Sequence, residues 1–205
     1  MTLKDWNLND YQFNFPDEPA YSGSLVNMSL IRKVGKLVKF IVPVYHELGD
    51  CYQKKAALAI MLVALAEVDY LAGFFVGHQT KKQDYKDFLN SKYFPPQYIP
   101  FIEDIYTQLR CGLLHNLVMV NPWSPEGIEF MITTALPEHL QKDIEGRIIF
   151  NPMIFAEDIY RAFIMYIHDL VHKTKEYPEL VKNFERRFNR LNGKAAFMEV
   201  TPHVK

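Results

Sequence analysis

The stretch Ile105-Tyr-Thr-Gln-Leu-Arg110-Cys-Gly-Leu-Leu-His115-Asn116 repeats its apolar residues at three- and four-residue steps. Ile105, Leu109, Leu113, Leu117 and Val120 continue the series, which predicts a helix with one buried stripe and with Arg110 and His115 off its centre. At about 100° per residue the two side chains stand roughly 140° apart. That is too far for a metal shared between i and i+4, yet the two can approach one bound group from two sides. A phosphodiester uses both: arginine offers a planar fork of donors, and histidine takes and returns a proton near neutral pH. Together they suit metal-independent cleavage of RNA, in which the 2′-OH is deprotonated and attacks its own phosphate while the arginine stabilises the developing charge. The same spacing also fits a snorkelling arginine and a histidine at the edge of a core. Gly112 lies inside the helix, where it costs about 1 kcal/mol relative to Ala, so a ligand or a second subunit is expected to approach the backbone there.

Upstream, Asp50 precedes the most apolar segment of the chain, a helix running to about Gly77 with the unbroken run Ala56 to Ala66. The run is well short of the roughly 20 residues that cross a bilayer, and Glu67 and Asp69 follow it directly. This predicts the central helix of a bundle, with Ala56, Ala57, Ala59, Ala64 and Ala66 permitting close packing. A carboxylate on such a helix is costly unless paired. Glu67 is the expected partner that holds Arg110 in position; alternatively Glu67 and Asp69 sit on an exposed edge.

The segment Leu109-Arg-Cys-Gly-Leu-Leu-His-Asn116 resembles the R-x(4-6)-H signature of the HEPN superfamily, all-α domains of prokaryotic toxin, antiphage and RNA-processing systems. The order of an apolar helix with Glu67 and Asp69, then Tyr93-Phe-Pro-Pro96, then the motif is also similar to uncharacterised bacterial HEPN-like proteins, over about residues 25 to 175. The resemblance implies that Arg110 and His115 contact a scissile phosphate and that two protomers join to form one composite site; Glu67, Asp69 and Asn116 are the expected supporting residues. Cys111 stands where the family often has a polar residue. The resemblance therefore implies either a ribonuclease of a toxin–antitoxin or antiphage type, with RNA and a cognate antitoxin as partners, or a non-catalytic binding and dimerisation module in which Arg110 and His115 are structural.

Composition sets the bounds. The 205 residues, 49% hydrophobic and 14% aromatic, are enough for one folded domain with a substantial core. With 23 Lys and Arg against 24 Asp and Glu, the chain lacks the overall basic footprint of a dedicated nucleic-acid binder, so any RNA site must be local. Cys51 and Cys111 make no disulfide framework, and the first residues carry no signal-peptide pattern, which points to a cytoplasmic protein with no membrane span.

Residues 1–24, with Trp6, Tyr11, Phe13, Phe15 and Tyr21 among Asn, Asp and Pro, read as an extended arm that wraps its own domain or reaches a partner. From Ser24 a helical pattern runs to Pro43, which should end or kink it, with Lys33, Lys36 and Lys39 on its solvated face. A short polar helix from Lys81 stops before Pro95-Pro96, and the motif helix starts near Pro100. Alternation at Ile128, Phe130 and Ile132, and again over 147–150, predicts a small β-hairpin within about 128–150; His139 in the intervening loop is given no functional part. Asn151-Pro152 caps a long amphipathic helix. Its His168 and His172 have the spacing of a zinc pair but no evident third ligand, so no metal or other cofactor is expected. Pro178 opens a last helix with Phe184, Phe188 and Leu191 on one side and Gly193 as its stop, and residues 194–205 form a tail. Arg186, Arg187 and Arg190 make the best local basic patch for RNA, although cations are favoured near any helix C-terminus. The expected architecture is an all-α, up-and-down bundle of about five or six helices over 25–193, HEPN-like and forming a homodimer, with the hairpin before the last long core helix.

Overall fold

The computed structural model describes residues 29–114, 128–135 and 137–192. His115 and Asn116, the arm over residues 1–24, the proposed cap Ser24, the stop Gly193 and the tail over 194–205 lie outside the described residues. Among the described residues six helices form the bundle, with a small sheet before the last two.

Helix α1 spans Leu30–Gln53 and continues past Pro43, which does not end it. The ring removes one backbone donor, but Val34, Leu37, Val38, Ile41, Tyr45 and Leu48 bury one continuous stripe across it and hold the helix together. The break comes later, at Lys54 to Ala56, where Lys55 takes a positive φ of 52°, so Asp50 belongs to α1 and does not start the next helix. Helix α2 spans Ala57–Val76 and is the bundle's central member, packed against each of the other helices. It is long and apolar enough to cross a membrane by length and composition, with a mean hydropathy of 1.9, but more than half of that window is buried inside the bundle. It ends at Gly77, whose left-handed φ of 79° closes the helix. A Cβ there would come within 2.8 Å of Asn183 Cα, so the absent side chain also lets the last helix seat against this turn.

Helix α3 is Lys82–Leu89, burying Tyr85, Phe88 and Leu89. Helix α4, which carries the motif, changes pitch along its length. It begins as a 3₁₀ segment over Pro96–Phe101, makes a short α-helical stretch over Ile102–Asp104 and widens into a π-helix over Ile105–Leu113. Ile102, Ile105, Leu109 and Leu113 are all buried, so the predicted stripe is present as far as Leu113 although the hydrogen bonds now skip five residues; its continuation at Leu117 and Val120 lies outside the described residues.

The sheet is three-stranded, in the order β1 (Phe130–Ile132), β3 (Ile148–Phe150), β2 (Gln141–Lys142). The expected hairpin between the outer segments is corrected: β1 pairs with β3 in parallel, Phe130 opposite Ile148, and the true hairpin joins β2 to β3 through Asp143 to Gly146. Side chains of β3 are buried throughout, as a central strand requires. Asn151 then caps α5 (Pro152–His172), its Oδ1 accepting from the Met153 and Ile154 amides at 2.9 and 3.4 Å. Helix α6 spans Pro178–Asn192 and inserts Phe184 and Phe188, both fully buried.

Candidate phosphate site around Arg110

Arg110 sits near the end of the π-helical stretch, 20% exposed in its side chain, and its Nη2 donates to Asp69 Oδ2 at 2.6 Å. Asp69, not Glu67, is therefore the carboxylate that holds the arginine. The choice follows from helix geometry. Two residues separate the carboxylates along α2, so they point about 200° apart, and only the Asp69 face meets α4. Burial pulls the Arg110 pKa down, but the hydrogen bond and charge of Asp69 outweigh it and keep the guanidinium firmly cationic. The group also lies over the Tyr106 ring, 5.4 Å from its centroid, and Nη1 reaches Cys111 Sγ at 3.8 Å. Tyr106 in turn packs edge-on against the fully buried Tyr85 and takes Lys82 at 5.6 Å.

Glu67 faces the interior instead, between α1 and α2. Tyr45 donates a hydrogen bond to its Oε1, and the residue is 5% exposed. Burial pushes its carboxyl up to about 8, with the Tyr45 hydrogen bond working weakly in the other direction. It is a neutral acid at pH 7, not a counter-ion. Lys33, expected on a solvated face, is also inside, 3% exposed and paired with Glu185 of α6 at 2.8 Å; its aliphatic stem fills core space while its charge meets a carboxylate.

The three arginines of α6 separate. Arg186 and Arg190 are exposed, whereas Arg187 turns inward over α2 at Gly73, one turn beyond Asp69. Asp69 thus acts electrostatically on both Arg110 and Arg187. The His168 and His172 rings lie 4.9 Å apart, with His168 Nδ1 at 3.5 Å from Asp169, and no group of three His, Cys, Asp or Glu residues able to hold a metal occurs among the described residues.

No family model, no curated protein and no solved structure matches this chain.

Sequence reasoning missed a second polar cluster, which ties the sheet to α5. His139 is buried, and its Nδ1 accepts the Asn151 amide at 3.0 Å. Nε2 therefore carries the ring proton and donates to Tyr98 Oη at 2.9 Å, and Tyr98 donates onward to Asp158 Oδ2 at 2.9 Å. Arg161 closes the chain on Asp158 at 3.1 Å. Desolvation drives His139 down to about 4, which keeps it neutral in this network. No periodicity marks a loop histidine as buried; only the residues it meets do.

Proposed function

We propose that this chain is a metal-independent endoribonuclease of the HEPN type, acting in a toxin–antitoxin or antiphage setting in the cytoplasm. The observation that carries the reading is the fixing of Arg110 by Asp69 at 2.6 Å while one fifth of its side chain stays accessible. An arginine held in this way is already oriented for an incoming phosphate, so little ordering is left to be done on binding. His115 follows Arg110 by five residues and supplies the proton transfers: it removes the 2′-OH proton and returns a proton to the departing 5′ oxygen. Arg110 stabilises the negative charge on the phosphate oxygens between those steps. A homodimer with the two motif helices at its two-fold axis completes the composite site, and a cognate antitoxin protein is the regulatory partner this reading implies.

The same ion pair favours a second reading, in which Asp69 and Arg110 fasten α2 to α4 in a non-catalytic binding or dimerisation module. One experiment separates the two. The nuclease cleaves single-stranded RNA in EDTA and leaves 2′,3′-cyclic phosphate ends, and His115→Ala lowers the rate by about 10² to 10⁴ without unfolding the protein. A well-folded, nuclease-free wild-type protein that leaves a varied RNA pool intact, with and without divalent metal, decides for the module.

A further inference from the structure

Helix α2 is apolar on every side from Ala57 to Ala66, and a helix of that kind belongs inside a bundle. One face of this half is nevertheless open. Leu58 is 54% exposed and Ala66 is exposed as well, while Ala59, Leu62 and Val63 between them are only half-buried. Steps of three and four residues put all five on one side of the helix, and no charge interrupts them before Asp69. The result is an apolar trough that the described elements leave uncovered.

Further along the same row of α2 stand Gly73 and Gly77, and there the row is covered by α6. A Cβ at Gly73 would stand 3.2 Å from Arg187 Nε and one at Gly77 2.8 Å from Asn183 Cα, and Asn183 Nδ2 donates to Phe75 O at 3.0 Å. A step of four residues forward along α6 therefore matches a step of four back along α2. Carried on in this antiparallel register, Leu191, which already packs against the core, comes level with Asp69. The same register brings Ala195 level with Ala66, and Met198 level with Leu62. The tail at this point reads Ala195-Ala-Phe-Met-Glu-Val200, apolar but for Glu199. From Ala66 back to Leu58 the trough is about 12 Å long at roughly 1.5 Å per residue, a distance that these residues span in helical or extended form.

We propose that this trough is the docking site of the chain's own C-terminal tail, with residues 195–198 laid antiparallel over Ala66, Leu62 and Leu58. Removal of both sets of apolar side chains from water drives the contact. The N-terminal arm and a second copy of the chain also carry apolar side chains, but α6 is already seated on this row of α2 and delivers the tail to the mouth of the trough. So delivered, the tail acts at the effective concentration of a tethered ligand. It borders the Asp69–Arg110 pair, one turn away along α2.

The test places cysteines in the full chain, with Cys51→Ser and Cys111→Ser removing the native thiols. Ala66→Cys is combined with Ala195→Cys or Ala196→Cys, and disulfide closure under mild oxidation is followed by non-reducing electrophoresis, since two cysteines join only when their Cα atoms lie about 4.4–6.8 Å apart. At least one pair should close within a single chain. Adding Phe197→Asp and Met198→Asp should slow that closure roughly tenfold, because charged side chains do not settle in an apolar trough. The proposal is overturned if neither pair closes, if the link joins two chains, if Ala66→Cys closes faster with Phe13→Cys of the arm, or if the aspartate variant closes as fast as its parent. A second measurement keeps both native cysteines and compares wild type with Phe197→Asp, Met198→Asp alone. Trypsin should release the peptide 195–205, read by mass spectrometry, roughly tenfold faster from the variant, because an undocked tail exposes the bond after Lys194. Equal rates overturn the docking, and this result decides alone if circular dichroism finds the cysteine-bearing chains unfolded.

Discussion

Glu67 and Asp69 are two residues apart and chemically alike, yet they behave as opposites because one points into the core and the other toward a cation. Glu67 has a folded pKa of about 8 against an ordinary value of 4.5, so the native state holds a proton that the unfolded chain releases between those limits. Its unfavourable contribution is absent below about pH 4.5 and grows as pH rises toward 8, reaching on the order of 4 to 5 kcal/mol. Glu67→Gln should therefore flatten the fall in stability between pH 5 and pH 8, and at pH 8 should melt above the parent; a parent and variant with parallel pH profiles would show that Glu67 is already ionised in the fold. Asp69→Asn does the reverse. It removes the charge that meets the partly buried Arg110 guanidinium, and the expected loss is about 2 kcal/mol, less than for a fully buried pair because solvent reaches both groups. Urea denaturation measures it, and a variant as stable as the parent would count against the pairing.

The elements themselves were largely legible: α1, α5 and α6 repeat their apolar residues with a helical period, and α2 is marked as the central helix by an unbroken apolar run. The stripe of α1, the density of α2, the Asn151-Pro152 start of α5 and the paired phenylalanines of α6 all survive in three dimensions. Misreadings came where packing overrode a local rule. Pro43 has the sequence of a helix end, but the buried residues either side of it belong to one stripe. The strands had the right pattern, but a parallel partner is chosen by where a chain returns, and alternation carries no such information. The cluster of His139, Tyr98 and Asp158 was invisible because its members come from a loop, a 3₁₀ segment and a helix. Its strength can be measured through Tyr98→Phe, which removes the donor to buried Asp158 and the acceptor for His139 Nε2. The expected cost is about 1 to 3 kcal/mol, read as a lower denaturation midpoint with an unchanged slope; a loss below about half a kcal/mol would mean that the network does not anchor the sheet.

Among the described residues the buried titrations of His139 and Glu67 oppose each other. His139, held at about 4 against 6.5 when unfolded, contributes stability that is present above pH 6.5 and is lost as pH falls toward 4, a total of about 3 kcal/mol. Glu67 runs the other way over an overlapping range. Their slopes largely cancel between about pH 4.5 and 6.5, and only the falling limb of Glu67 remains above. Thermal melts of wild type should thus change little through mildly acid pH and decline toward pH 8, and Glu67→Gln should uncover the rising limb of His139; a bell-shaped wild-type profile centred near pH 7 would contradict this balance. Assembly belongs to the same scale. The proposed homodimer should appear by light scattering at tens of micromolar, and a monomer there would remove the composite site.

The change of pitch inside α4 has a consequence for how the protein tolerates mutation. A π-helical stretch holds more residues per turn than its α-helical neighbours, so Ile105–Leu113 behaves like a helix into which an extra residue has been slipped. Deleting Thr107 would remove that surplus residue, so the backbone could relax into α-helical hydrogen bonding while Arg110 keeps its direction toward Asp69. The same loss in a regular helix such as α5 would instead rotate everything after it by roughly 100° and carry its buried stripe out of the core. A one-residue deletion at Thr107 should therefore yield a folded protein that keeps the Asp69–Arg110 pair, because the helix that carries the motif has slack its neighbours lack.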